Sequence, residues 1–201
     1  KDFFAGIDSD GTVFDSMIIK HTKAFIPMMV KEWNLEPWKK VLTNIAQRIN
    51  LYSKERGINR FPGLLRTFEE MERELGEDFP VKDYGSLRDF VHSGCSMSNK
   101  GLEEYMTEHS DRELERVLRW SKSADRIFLK EAETLPPFEN VSSALVSMSK
   151  TSDLMVVSAA SSEGLVRDWS RAGLAEMADG IAGQEFGSKE MQLAHALKNG
   201  Y

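Results

Sequence analysis

Phe3-Phe4-Ala5-Gly6-Ile7-Asp8-Ser9-Asp10-Gly11-Thr12 decides the fold. An unbroken apolar run stops abruptly at two aspartates spaced two apart. A continuous run of this kind suits a strand buried on both faces, as in a parallel sheet. The polar stop matters because ligands of parallel α/β sheets bind at the carboxyl ends of the strands. Gly11 permits a tight backbone turn directly after the strand.

A second apolar run, Leu154-Met155-Val156-Val157, ends in Ser158-Ala159-Ala160-Ser161. Val141, Ala144, Leu145 and Met148 recur at helical spacing before it. Leu165, Trp169 and Ala172 share a helical face after it, with Gly173 as the stop. Helix, strand, helix is the alternation of an α/β layer.

The long stretch between the two strands reads as helical throughout. Pro37 marks a helix start, and Trp38, Val41, Leu42, Ile45 and Ile49 fall on one face. Leu64, Leu65, Phe68, Met71 and Leu75 make a second stripe. Ser110 with Glu113 has the capping-box spacing ahead of Leu114, Val117, Leu118, Ala124, Ile127 and Phe128. Pro27 interrupts or kinks the first of these helices. The pattern predicts an α/β fold: a Rossmann-like parallel-sheet core over residues 1–16 and 135–201, with an all-helical module over 17–134. Leu135-Pro136-Pro137 is the linker signal at the second boundary.

Composition narrows the function. The 201 residues are 41% hydrophobic and 29% charged, ordinary values for a globular protein. A net charge of −6 argues against a nucleic-acid partner, whose phosphates need a basic footprint. The single Cys95 leaves no internal disulfide, so a reducing, cytoplasmic location is expected. No apolar run reaches the roughly 18–20 residues of a membrane span, so no membrane partner is expected. The chain begins at Lys1 without a methionine, so a short leader or tag is expected to have been lost, and no signal-peptide pattern is present.

Asp8 and Asp10 are the first chemical signal. Carboxylates that close repel each other, which favours a bound cation or a proton on one partner. That division suits a nucleophile beside an acid, although Asp-Gly turns also occur in ordinary loops. Ser158, at the second strand end and just before a helix, is placed either to hold a phosphoryl oxygen or to cap that helix. Lys189 follows Gly187-Ser188 at a helix start, where a cation opposes the macrodipole. It is either a solvated surface lysine or a counter-charge.

Asp8-Ser9-Asp10-Gly11-Thr12 with the trailing Val13-Phe14-Asp15-Ser16, then Ser158, then Lys189 resemble in order the first three motifs of the haloacid dehalogenase (HAD) superfamily. The resemblance covers the core segments at both ends of the chain, and the helical module matches as an inserted cap. It implies a magnesium-dependent phosphatase of small phosphomonoesters, of the sugar-phosphate or nucleotide class. Asp8 would attack phosphorus and become an aspartyl-phosphate. Asp10 would protonate the leaving oxygen and later deprotonate the hydrolytic water. Ser158, Lys189 and Ser9 would form the phosphate-binding set. Mg2+ would bridge Asp8, the phosphate and the backbone carbonyl of Asp10. Members acting on carbon–halogen or carbon–phosphorus bonds usually lack the second aspartate, so Asp10 favours a phosphate ester.

A lid limits access, so a small phosphorylated metabolite is the expected partner. Arg56, Asn59 and Arg60, in the stretch from Tyr52 to Phe61, are candidates for recognising the leaving group. The same stretch also reads as a solvated interhelical loop. Ser98-Asn99-Lys100-Gly101 is a second polar loop with a weaker claim.

The family's fourth motif, a Gly-Asp-x-x-x-Asp type of strand end, is missing. Its magnesium ligands are expected beyond Tyr201, in a chain cut short of that strand. The resemblance makes the first strand central, so Phe3 to Ile7 would then offer an unpaired apolar edge. A phosphomutase or phosphotransferase with the same site, and a non-catalytic binding protein on this fold, are the alternative functions.

Overall fold

The computed structural model describes residues 1–132 and 135–198. In chain order the described elements are β1 (Phe3–Ile7), α1 (Ser16–Ile19), a π-helical segment (Lys20–Phe25), α2 (Ile26–Glu32), α3 (Lys39–Tyr52) and α4 (Arg60–Leu75). They continue with α5 (Gly85–His92), α6 (Asn99–His109), α7 (Arg112–Ala132), α8 (Val141–Met148) and β2 (Ser152–Val157). The last are α9 (Ser162–Arg171), β3 (Gly180–Ala182) and α10 (Lys189–Lys198). Short 3-10 turns fill several connections. The chain divides into two compact units, Lys1–Ser16 with Thr134–Tyr201, and Met17–Glu133. The second boundary expected from sequence falls at residues 133–134, which lie outside the described residues. No helix among the described residues is long and apolar enough to cross a membrane.

The first unit is an α/β layer. Its sheet is parallel, in the order β1-β2-β3. β2 lies in the middle, with Leu154 and Val156 fully buried and Val157 nearly so. Leu154 and Val156 pack with Val13, Phe14, Leu145, Leu165, Trp169 and Leu174 to form the core of this unit. Asp179 closes the base of the sheet: its amide donates to the Leu154 carbonyl, and its carboxylate accepts from the Leu154 amide.

β1 corrects an expectation. The sequence suggests a strand buried on both faces, yet none of its five residues is fully buried; the unpaired edge expected for it is present, with β2 its one neighbour among the described strands. Phe3 is 65% exposed. Ala5 and Ile7 pack, partly buried, against the core of this unit, while Leu193 of α10 closes on Gly6 so tightly that a Cβ there would lie 2.6 Å from it. β3 has no counterpart in the sequence reading, because three residues between Asp179 and Gly183 are too short a run to show a period.

The described secondary-structure elements of the second unit are all helical. Trp33, Phe61, Phe68, Phe90 and Trp120 form its centre in edge-on or tilted contacts. Such aromatic pairs contribute about 0.5–1.5 kcal/mol each beyond the area they bury. Both tryptophan N–H groups are satisfied: Trp120 donates to the Phe25 carbonyl at 3.0 Å and Trp33 to Glu113 Oε1 at 2.9 Å.

Pro27 neither breaks nor sharply ends its helix. Helical structure runs from Ser16 to Glu32, with π geometry immediately ahead of the proline, where the Ile26 amide donates to His21 five residues back. Widening the turn there accommodates a ring that lacks an N–H and crowds the preceding carbonyls. Pro37 lies in a 3-10 turn, Glu36–Trp38, and α3 begins after it at Lys39.

The expected Ser110–Glu113 capping box is also corrected. Asp111 caps α7, its carboxylate accepting from the Leu114 amide at 2.8 Å. Ser110 instead closes α6. Glu113 is turned toward Trp33 rather than back to the helix start. Burial pushes its carboxyl above the ordinary 4.5, and the Trp33 hydrogen bond and the Arg116 charge only partly offset that.

From 4.5 up to its raised value, folded Glu113 therefore holds a proton that the unfolded chain has lost, so stability falls as pH rises through that window. Glu113→Gln keeps an acceptor for Trp33 and removes the buried charge. It is expected to raise the unfolding temperature at neutral pH and to flatten the pH dependence, both measured by thermal unfolding from pH 4 to 8. A lower unfolding temperature at neutral pH would contradict this.

Candidate active site

Parallel pairing sets the first two groups of the site. Ile7 is registered opposite Val156, so the chain leaves both strands at the same end, through Asp8 on one and Ser158 on the other. Lys189, the first residue of α10, brings its Nζ to 2.8 Å from Asp8 Oδ1. The two side chains are 41% and 35% exposed, so the pair adds little to stability and its interest is chemical. The Ser9 amide donates to the same Oδ1 at 3.0 Å. Both contacts fall on one carboxylate oxygen, and Oδ2 has no partner among the described residues.

The loop carrying Asp8 and Asp10 is fixed from beneath. The Ser9 carbonyl accepts from the amides of Thr12, Val13 and Phe14, and the Gly11 amide donates to Phe14 at 2.7 Å. Gly11 has φ 77°, a conformation that disfavours any side chain and makes glycine the fitting residue. Ser16 donates from its hydroxyl to Asp10 Oδ1 and so orients that carboxylate. Ser9 is 2% exposed, and its hydroxyl accepts from Trp169 Nε1 at 3.0 Å. Its side chain is thus turned into the core, leaving its backbone as the part that lies beside Asp8.

Ser158 is also buried, at 1% exposure. Its amide donates to the Ala182 carbonyl and to Gln192 Oε1, and its hydroxyl accepts from the Ala160 amide at 3.1 Å. The neighbouring loops are in close contact. A Cβ on Gly183 would stand 2.4 Å from the Ser162 amide, so only glycine fits there. Glu185 binds Ser162 through both amide and hydroxyl, at 2.9 and 2.8 Å. Burial raises the Glu185 carboxyl, but these and other hydrogen bonds outweigh it, and the group is held below its ordinary range.

Sequence reasoning missed Gln192. It is 1% exposed, and its amide nitrogen donates to the carbonyls of Ser158, Gly183 and Gly187 at 2.9–3.0 Å. A glutamine in an amphipathic helix carries no local signal for such a role. Burial of a polar residue becomes informative only once the fold is known.

The residues expected to recognise a leaving group divide. Asn59 is the N-cap of α4, accepting from the Phe61 amide, and its side-chain amide donates to the Met97 carbonyl at 2.8 Å. Arg60 bonds Asp125 at 2.5 Å and Ser121 at 3.0 Å while lying 5.0 Å over the Phe25 ring. Asn99 completes this cluster, donating to Asp125 and accepting from Ser121. Ser98 caps α6. Both polar loops thus contribute to the internal scaffold of the helical unit. Arg56, in contrast, is exposed in the turn between α3 and α4.

For magnesium, the residues present fit an ion shared with a substrate. Mg2+ is commonly held by one or two carboxylates together with substrate phosphate and water. Of the oxygens expected to hold it, Asp8 Oδ2 is without a partner among the described residues, both contacts of that carboxylate falling on Oδ1. Among the described residues no cluster of three or more His, Cys, Asp or Glu is arranged for a metal. The further ligands expected beyond Tyr201 lie outside the described residues.

No protein-family model and no curated protein matches the chain. Of several solved chains similar in structure, one is a magnesium-bound HAD-hydrolase candidate, YfnB, from Bacillus subtilis. It is 16% identical with a TM-score of 0.48, over 99% of this chain and 73% of that one. Likeness at that level assigns no function here.

Arg60 is expected to act first on stability. Arg60→Ala should cost about 1.5–3 kcal/mol, the usual worth of hydrogen bonds to a charged group, in urea unfolding. Most of that loss should vanish in an Asp125→Ala background. Equal losses in both backgrounds would contradict the pairing.

Proposed function

We propose that the chain is a magnesium-dependent phosphatase acting on small phosphomonoesters through an aspartyl-phosphate on Asp8. The observation that carries this reading is the meeting of Asp8 and Lys189 at 2.8 Å at the strand end that Asp8 shares with Ser158. A nucleophilic carboxylate, a counter-charge and a hydroxyl thereby gather where parallel sheets bind ligands.

In this reading Asp8 Oδ2 attacks phosphorus, forming the new P–O bond as the bond to the ester oxygen breaks. Asp10 gives its proton to that departing oxygen, and the alcohol leaves. Water then attacks the phosphoryl group as the Asp8 O–P bond breaks, a proton of that water passes to Asp10, and orthophosphate leaves with Asp8 ionised and Asp10 protonated as at the start. Splitting the displacement in two is the gain from covalent catalysis. Ser158 and the Ser9 backbone amide would hold phosphoryl oxygens. Lys189 would offset their charge and, through its contact with Oδ1, keep Oδ2 directed at phosphorus. The Asp8 carboxylate and the Asp10 backbone carbonyl would hold magnesium, which when bound would supply further neutralisation of the phosphoryl charge.

We assign residues 17–134 the part of a cap that selects the substrate, a small phosphorylated metabolite. Arg56, exposed between α3 and α4, is the residue of that stretch suited to an anionic group. Asn59 and Arg60 would serve it indirectly by fixing α4.

Asp8→Asn should lower magnesium-dependent phosphate release from an aryl phosphate by at least about 10³-fold, and Asp10→Asn by about 10²–10⁴-fold, with folding retained. Steady-state phosphate release with circular dichroism checks both. Undiminished release by a folded Asp8→Asn protein would sink the assignment.

A further inference from the structure

We infer that Gln192 is the positioning residue of this site, one carboxamide that fixes Ser158 and the start of the Lys189 helix relative to each other. The inference rests on the phosphatase reading for its consequence in catalysis, and on geometry alone for the clamp.

Three separate pieces of chain end beside this side chain. Ser158 follows β2, Gly183 follows β3, and Gly187 lies two residues before Lys189. Gln192 Oε1 accepts from the Ser158 amide at 3.0 Å. Its Nε2 donates to the carbonyls of Ser158, Gly183 and Gly187 at 3.0, 2.9 and 2.9 Å. The reversed amide would set an oxygen against three carbonyls, so the network itself fixes the orientation. Two N–H groups serve three acceptors, which requires one to be shared.

Burial raises the stakes. At 1% exposure these groups have no water to replace a lost partner, and each unsatisfied one is costly. Gln192 also belongs to the first turn of α10, its amide donating to Ser188 at 2.9 Å. It lies three positions after Lys189, so both side chains project from neighbouring positions on one side of the helix. A shift of the clamp would therefore move the Lys189 ammonium relative to Asp8 as well as the Ser158 loop. An apolar side chain of equal length would fill the same space without holding either.

Gln192→Met preserves length and packing and removes every bond; Gln192→Asn retains the carboxamide on a shorter stem and serves if the Met variant does not fold. Hydrogen exchange read by mass spectrometry should quicken at residues 158–162 and 183–189, with the helical unit unchanged. Unaltered exchange at those segments overturns the clamp, whether or not the chain hydrolyses phosphate esters. In magnesium-dependent hydrolysis of an aryl phosphate, kcat/KM should fall about 10–100-fold, the scale of a small misplacement. In a background that lacks both groups it positions, Ser158→Ala with Lys189→Ala, the same substitution should cost less than about threefold. Equal losses in both backgrounds would make Gln192 merely structural and overturn the proposal. Quickened exchange in a protein whose wild type releases no phosphate would refute the phosphatase reading and leave the clamp standing.

Discussion

The parallel register that sets Ile7 opposite Val156 is the constraint on which the site depends. A shift of one residue would turn every side chain of β1 to the other face and carry Asp8 away from the Ser158 end. Register is held by burial on β2, where Leu154 and Val156 are fully enclosed, and by Asp179, which binds both backbone groups of Leu154. The strand pair delivers two ends; it does not by itself deliver a third group. That comes from α10, which lays Leu193 against Gly6 and Lys189 against Asp8.

Two buried polar contacts convert strand ends into a fixed arrangement. Trp169 reaches from α9 to the Ser9 hydroxyl, holding the loop between the aspartates from within the core. Gln192 does the corresponding work for Ser158 and the entry to α10. Both belong to helices that flank the sheet, so the packing of those helices and the geometry of the site are one problem. Interiors are close-packed, and a displacement in either helix is transmitted with little loss.

Much of the layout was legible because it rests on local pattern. The run from Phe3 to Ile7, the run from Leu154 to Val157, and the stripes of α3, α4, α7 and α9 have periods that survive in isolation. What failed depends on partners distant in sequence. β3 is three residues long, the proline at 27 is absorbed by a π segment, and Asp111 stands in for Ser110 as a cap while Glu113 is drawn to Trp33. In the candidate site, the chemical types at Asp8, Asp10, Ser158 and Lys189 could be named from sequence. The bonds of Arg60 to Asp125 and of Gln192 to three carbonyls could not, since nothing near either residue encodes its partner.

The most direct test of the account is chemical trapping of the phosphorylated side chain. The protein is incubated with an aryl phosphate and magnesium, quenched in acid and reduced with borohydride, which converts an aspartyl-phosphate to homoserine. Peptide sequencing by mass spectrometry then locates the change. The account predicts homoserine at position 8 and nowhere else. Steady phosphate release with an unmodified Asp8, or with the label on another carboxylate, would contradict it.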